Sequence, residues 1–140
     1  MYEIFDHTAD LGIRVRAGSL NELFADAARG LFAVMVANLD AVQLVEEVVF
    51  EFHADNLEDL LHYWLDELLY TFHGRRLVLA EFEVQVSPVG TPIGLTATAR
   101  GEPIDPSRHE IDDEVKAITW HALRVEQLAE GWLAEVIVDV

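Results

Sequence analysis

The sequence contains no cysteine among its 140 residues. This absence excludes disulfide bonds, thiolate metal ligands and a cysteine nucleophile. No apolar run approaches the roughly 20 residues that a membrane-spanning helix needs. The first ten residues also lack the basic and apolar regions of a signal peptide. We therefore expect a cytoplasmic protein that makes no contact with a membrane.

Basic residues are scarce, because 9 Lys and Arg stand against 26 Asp and Glu, which gives a formal charge of −17. Nucleic-acid binding draws much of its affinity from basic side chains that neutralise phosphates. Direct binding to nucleic acid is therefore not expected, and a partner with a basic surface or a bound cation is favoured. Apolar residues make up 51% of the chain, which is enough to form the core of one domain over residues 1–140.

Two segments show the apolar periodicity of amphipathic helices. The first begins with a capping box, in which Ser19 is the N-cap and Glu22 follows three residues later. This helix is expected to end near Asn38. The second begins with a similar box at Asp55 and is expected to end at Gly74. Each helix has one apolar stripe, so both are expected to pack on one face of a sheet.

Most of the remaining chain has the apolar–polar alternation of half-buried strands. Strands are predicted at residues 2–5, 11–15, 45–53, 77–86, 93–100, 115–128 and 132–140. Short links between the last four favour antiparallel pairing, whereas the helical links allow parallel pairing. The predicted fold is a two-layer α+β single domain, with one mixed, mostly antiparallel sheet and two helices on one face.

The densest mixture of acids, histidines and turn formers lies in residues 101–125. Pro103 and Pro106 each fix φ and remove an amide donor, so residues 101–110 are predicted to form a stiff surface loop. This loop is expected to deliver Lys116 to the first position of a strand. The alternative is a solvated acidic loop without a specific role.

Three separated segments are rich in oxygen ligands, namely residues 6–10, 102–113 and 139–140. Carboxylates with few imidazoles and no thiolates favour Ca²⁺, Mg²⁺ or Mn²⁺ over zinc. Spacing in one sequence does not by itself bring these segments together, so the pattern predicts the kind of ion and not a single shared site.

Motifs along the chain resemble those of the archease family, in the same order from residue 5 to residue 140. The segment 7–12, His-Thr-Ala-Asp-Leu-Gly, resembles the HTAD-[IL]-G signature of that family. Residues 101–119, which include Glu102, Asp105, His109 and Lys116, resemble its central motif, and residues 132–140 resemble its ending. Trp120 stands where the family commonly has a tyrosine, so no hydroxyl chemistry is assigned to that position.

The resemblance implies a function in RNA processing. Archeases assist the GTP-dependent RNA ligase of tRNA splicing, by promoting guanylylation of the ligase and its multiple turnover. The implied function is therefore that of a non-enzymatic activator, and the alternative is a chaperone-like modulator of a tRNA methyltransferase. A small metal-dependent hydrolase is a competing class, but the chain has no P-loop or HExxH motif.

The resemblance also implies a divalent-metal site. Asp10 and Asp139 match the family's metal-binding aspartates, with Val140 supplying a backbone or terminal oxygen, and Ca²⁺ is favoured over Mg²⁺ or Mn²⁺. The other matching positions are expected to line a surface that faces the partner: His7, Glu102, Asp105, His109 and Lys116. We expect Lys116 to lie beside the carboxylates, where it either neutralises them or contacts phosphate in the partner.

Overall fold

The computed structural model describes residues 1–90 and 92–140, and within them it contains eight strands and two α-helices. The strands are β1 Tyr2–His7, β2 Asp10–Ala17, β3 Glu46–Ala54, β4 Leu77–Ser87, β5 Ile93–Pro103, β6 Ala117–Ile118, β7 Arg124–Leu128 and β8 Gly131–Asp139. The helices are α1 Leu20–Met35 and α2 Leu57–Arg75, and a short 3-10 helix spans Leu39–Ala41. Neither α1 nor α2 is long and apolar enough to cross a membrane.

The strands form two sheets, and every strand pairing in them is antiparallel. One sheet has the order β1-β2-β8-β6, with β7 also paired to β8, and the other has the order β3-β5-β4. Both α-helices contact strands of both sheets. The α+β class with two helices is confirmed, but the single mixed sheet that the sequence predicts is replaced by two antiparallel sheets.

The two helical links explain this difference. The link through α1 leads from β2 in one sheet to β3 in the other, so these strands never become neighbours. The link through α2 joins β3 to β4, which run in the same direction, but β5 inserts between them and pairs with each. Among the described residues, neither helical link therefore produces a pair of parallel neighbouring strands.

Helix α1 begins where the sequence predicts, since the Ser19 hydroxyl accepts the N–H of Glu22 at 3.2 Å. It ends at Met35, earlier than predicted, because Val36 leaves the helix to bridge with Ile111. Gly30 is buried in this helix, where a β-carbon would come 2.8 Å from Cγ2 of Ile13. The absence of a side chain at Gly30 thus lets α1 approach β2 closely.

Helix α2 differs from the prediction at both ends. Asn56, rather than Asp55, is the N-cap residue. The helix continues past Gly74, and Arg76 takes the left-handed conformation that usually suits glycine, with φ at 57°. The carbonyl of Arg76 accepts the N–H of Ile104 at 2.9 Å, which ties this helix end to the segment after β5.

The strand predicted at residues 115–128 is interrupted. Within this stretch only β6 and β7 pair with β8, and residues 119–123 between them form an excursion from the sheet edge, in which Ala122 has φ at 53°. Trp120 lies in this excursion and is 54% exposed. His62 of α2 is buried beneath it.

The outer face of the five-stranded sheet carries a row of alternating charges. Arg14 and Arg124 both stand opposite Glu135 and both donate to its carboxylate, Arg124 at 2.9 Å. Partial burial opposes ionisation of Glu135, but the hydrogen bonds from the two guanidinium groups outweigh it and lower the pKa of Glu135. Glu135 is therefore the anionic centre of this row.

Replacing Glu135 with glutamine should leave two guanidinium groups facing each other without an intervening charge. We expect the free energy of unfolding at pH 7 to fall by roughly 1–2 kcal/mol in urea titrations. Glu126→Gln is the matched control, because Glu126 pairs with Arg124 at the more exposed edge, and it should change stability by less than about 0.5 kcal/mol. Equal effects of the two substitutions would contradict the central position of Glu135.

Candidate functional site

One end of the five-stranded sheet brings Asp10 and Asp139 to neighbouring positions. Leu11 of β2 stands opposite Val138 of β8, and the same register continued by one residue puts Asp10 opposite Asp139. Residues directly opposite each other in an antiparallel pair share a face, with β-carbons about 4.5–5.5 Å apart. Asp10 is half-buried and Asp139 is exposed, so these two acids form an accessible pair at the end of the sheet.

His7 and Lys116 lie at the same end. His7 is paired with Asp10 across the β1–β2 hairpin, whose turn contains Thr8 in a left-handed conformation with φ at 55°. Lys116 immediately precedes β6, and its backbone N–H donates to the carbonyl of Asp139 at 2.7 Å. The structure therefore holds Lys116 directly beside the strand end that carries Asp139.

A second histidine approaches this end from the excursion at residues 119–123. The His7 and His121 ring centroids are 5.4 Å apart, and the N–H of His121 donates to the Thr119 hydroxyl at 3.2 Å. Nδ1 of His7 is buried and has no hydrogen-bond partner among the residues that the structure describes. His121 was not among the predicted site residues, because its position depends on the break in a strand that the sequence pattern shows as continuous.

The ligand chemistry of this end fits a cation that prefers oxygen. Asp10 and Asp139 supply two carboxylates on one face, and the main-chain oxygen of Val140 follows directly. Across residues 1–90 and 92–140, no three His, Asp or Glu side chains converge on a ready-made metal cluster. Two carboxylates with added backbone and water oxygens suit Ca²⁺ or Mg²⁺, whereas a structural zinc site uses four N or S ligands.

Glu102 and His109 form a buried network within the chain. Glu102 is 5% exposed and accepts the N–H of Gln43 at 2.6 Å, the guanidinium of Arg108, and Nε2–H of His109 at 3.1 Å. His109 is 2% exposed, and its Nδ1 accepts the N–H of Asp105 at 2.9 Å, so the ring carries its proton on Nε2. The side chains of Glu102 and His109 therefore hold the loop together and do not face outward.

Glu102 and Asp105 are stabilised in their ionised form. The hydrogen bond from the Gln43 backbone lowers the pKa of Glu102 in spite of its burial, and His109 and Arg108 add to the effect. The hydroxyl and backbone N–H of Ser107 lower the pKa of Asp105, which is half-buried. Both acids are thus anionic at neutral pH and serve as fixed acceptors within the loop.

The loop connects this network to the end of the sheet. Asn38, just after α1, donates to the carbonyl of Arg108 at 2.9 Å and accepts the N–H of Glu110 at 2.7 Å. The N–H of Asp112 then donates to the carbonyl of Met35 at 2.8 Å. The loop is thereby fixed to the C-terminal end of α1 before it reaches β6. Asn38 is a positioning residue that the sequence indicated only as a helix end.

The predicted site residues thus fall into two groups. His7, Asp10, Asp139, Val140 and Lys116 lie at one end of the five-stranded sheet. Glu102, Asp105 and His109 belong to the internal network of the loop that leads to Lys116. The buried side chains of Glu102 and His109 shape that loop, whereas the Asp105 side chain is 45% exposed.

A small α+β domain with an acidic sheet end matches a known family over almost its whole length. Residues 2–140 match the model of the Archease protein family (MTH1598/TM1083). The chain is 40% identical over 140 residues to the protein archease of Pyrococcus abyssi, which covers 99% of this chain and 98% of that protein. It is 38% identical over 139 residues to the protein archease of Methanopyrus kandleri, with 99% of both chains covered. The chain belongs to the archease family.

Two solved structures share the fold. The solution structure of Methanobacterium thermoautotrophicum protein 1598 has a TM-score of 0.86 and 35% identity, covering 99% of this chain and 98% of that one. The crystal structure of a Thermotoga maritima protein, described as "an archease, possible chaperone", has a TM-score of 0.65. It covers 100% of this chain and 98% of that one, and at 20% identity it is similar in fold alone.

Proposed function

We propose that this protein is a non-enzymatic activator of the GTP-dependent RNA ligase of tRNA splicing and RNA repair. In this role it promotes guanylylation of the ligase and its multiple turnover. Membership of the archease family supports the proposal. The observation that carries it is the β2–β8 register, which runs to Leu11 and Val138 and when continued by one residue puts Asp10 opposite Asp139. The backbone of Lys116 is hydrogen-bonded to Asp139 at the same place.

In the proposed mechanism the end of the sheet combines carboxylates with positive charge. Asp10 and Asp139 would hold a divalent cation together with an oxygen of Val140, with Ca²⁺ favoured over Mg²⁺ or Mn²⁺. When bound, the ion supplies a concentrated positive charge in an acidic surface. Lys116 presents its ammonium group at the same end, where it can contact a phosphate of the nucleotide or RNA that the ligase holds.

The charge of the whole chain supports a protein partner. A protein of net charge −17 is attracted to the basic mouth of an RNA-binding enzyme and is repelled by free RNA. Attraction of this kind raises the rate of association and falls with increasing salt. The site would then act on the metal and nucleotide of the ligase, which is why we assign the protein no turnover of its own.

The second candidate is a chaperone-like modulator of a tRNA methyltransferase. The net charge of −17 favours it, because an acidic surface attracts a basic RNA-modifying enzyme. Such a protein would use its acidic surface to keep a basic partner soluble, and it would not need Asp10, Asp139 and Lys116 as a group. This second candidate would be favoured if Lys116 and Asp139 variants functioned normally and function were lost only when many surface acids were removed.

Replacing Lys116 with alanine should leave the fold intact, because its hydrogen bond to Asp139 is made by the backbone and the side chain is exposed. We expect the ligase guanylylation rate in the presence of the variant to fall about ten- to a hundredfold, the equivalent of roughly 1.5–3 kcal/mol for a lost charged contact. Arg16→Ala is the control, since it removes an exposed cation near the opposite end of β2. If Lys116→Ala activates as well as Arg16→Ala, Lys116 has no part in activation.

A further inference from the structure

An exposed aromatic surface lies on α2 and on the excursion between β6 and β7. The indole of Trp120 lies parallel to the ring of His62, with centroids 3.6 Å apart and an interplanar angle of 5°. This stack covers one face of the indole, and since Trp120 is 54% exposed, the opposite face is open to solvent. Tyr63 meets the indole edge-on at 6.4 Å and is itself 41% exposed. We call residues 62, 63 and 120 the Trp120 platform.

The platform is held in place from beneath. His62 is 8% exposed, and its Nε2–H donates to the carbonyl of Ile118 at 3.0 Å. Ile118 belongs to β6, two residues before Trp120, so the hydrogen bond and the ring stack fasten the excursion to α2 at two points. A large aromatic side chain that is already fixed loses little conformational entropy on binding, which is typical of energetically dominant interface residues.

Two carboxylates flank the platform on the same helix. Asp59 precedes Tyr63 by four residues and Asp66 follows it by three, so all three lie on one face of α2. Neither acid has an ion-pair partner in the part of the chain that the structure describes. Asp59 accepts a hydrogen bond from Nδ2 of Asn56 at 3.3 Å. Both acids flank Tyr63, which contacts the indole, so the open indole face and the two carboxylates belong to one surface around α2.

We infer that the Trp120 platform binds an arginine side chain from a basic protein partner. The planar guanidinium stacks on the free indole face, and its N–H groups donate to Asp59 or Asp66. Lysine fits less well, since its ammonium is a compact, strongly hydrated charge without the planar fork. A nucleobase is disfavoured, because its phosphates would face a protein of net charge −17. The inference goes beyond the proposed function, because it assigns a contact on α2 and needs neither Asp10 nor Asp139.

The test is an NMR titration of the intact protein that follows its tryptophan indole N–H signals. The probe is the peptide acetyl-Gly-Arg-Gly-amide, and the matched probe carries lysine in place of arginine. We expect the Trp120 signal to shift to saturation with the arginine peptide, and the lysine peptide to bind at least about threefold more weakly. The signals of Trp64, which is fully buried, and of Trp132 should not move.

Two variants and one competitor decide the outcome. Trp120→Ala should abolish binding, and Asp66→Asn should weaken it about threefold while leaving the circular dichroism spectrum unchanged, since both side chains are exposed. The inference would be overturned if the Trp120 signal showed no saturable shift or if both peptides bound equally well. It would also be overturned if Asp66→Asn did not weaken binding of the arginine peptide. Tighter binding of a single-stranded oligonucleotide than of the arginine peptide would overturn it too. Failure of this test would leave ligase activation through Asp139 and Lys116 untouched.

Discussion

Divalent cations are expected to raise the melting temperature of the wild-type protein, and replacing Asp139 with alanine is expected to remove that rise. The substitution takes away one of two carboxylates that the strand register places side by side. Wild type should gain RT ln(1 + [L]/Kd), roughly 2.7 kcal/mol at a hundredfold excess of cation over Kd. For a chain of this length that gain corresponds to a rise in Tm of roughly 9 °C, and the variant should show almost none of it.

The same substitution should cost little stability when the cation is removed. Asp139 is exposed, and its loss relieves repulsion with Asp10 across the strand pair. Melting curves with EDTA and with added Ca²⁺, Mg²⁺ or Mn²⁺ measure both effects. Asp113→Ala, which removes an exposed acid from the loop, is the control and should keep the full response. A cation response that persists in Asp139→Ala would rule out the Asp10–Asp139 site.

Replacing Glu102 with alanine is expected to be strongly destabilising. Its buried carboxylate accepts from the Gln43 backbone, from Arg108 and from His109, and the substitution leaves these donors without an acceptor. Removing one partner from a buried charged network costs about 3–5 kcal/mol. Urea unfolding at pH 7 measures this loss. Glu110→Ala is the control, because Glu110 is exposed and contributes to the loop through its backbone.

Glu102 should also make the fold sensitive to acid. Its pKa in the folded protein is lowered from the ordinary value of 4.5, so its contribution to stability is fully present above about pH 4.5 and is lost as the pH falls through the folded-state pKa. Glu102→Gln should therefore lose stability at pH 7 and show a smaller further loss between pH 5 and about pH 3. An acid dependence equal to that of wild type would show that Glu102 is not a source of the acid sensitivity.

Local sequence patterns predicted the helices and most strands, because apolar periodicity and capping are local properties of the chain. Ser19 illustrates this, since its capping role was predicted from the residue type and the spacing to Glu22 alone. The division into two sheets could not be predicted in this way. It depends on β5 pairing between β3 and β4. Long-range packing determines this pairing, and the alternation within each strand does not encode it.

The site was predictable in part. The motif at residues 7–12 and the chain ending indicated Asp10 and Asp139 through the family resemblance, and the strand register provides the pairing that spacing could not. The burial of Glu102 and His109 was not visible, because a polar loop residue looks the same in sequence whether it faces solvent or an internal donor. The excursion carrying Trp120 was hidden for a similar reason, since residues 115–128 have the composition of one strand.

The most direct test is the rate at which a purified tRNA-splicing RNA ligase is guanylylated by GTP, with and without this protein. We expect substoichiometric wild-type protein to raise that rate and to give multiple turnover of the ligase. Asp10→Ala and Asp139→Ala should fail to do so, whereas Asp113→Ala should activate normally. The proposed role of this site would be contradicted if the wild type gave no stimulation, or if it turned over GTP or RNA without the ligase. Full activation by a variant that no longer responds to divalent cations would contradict it as well.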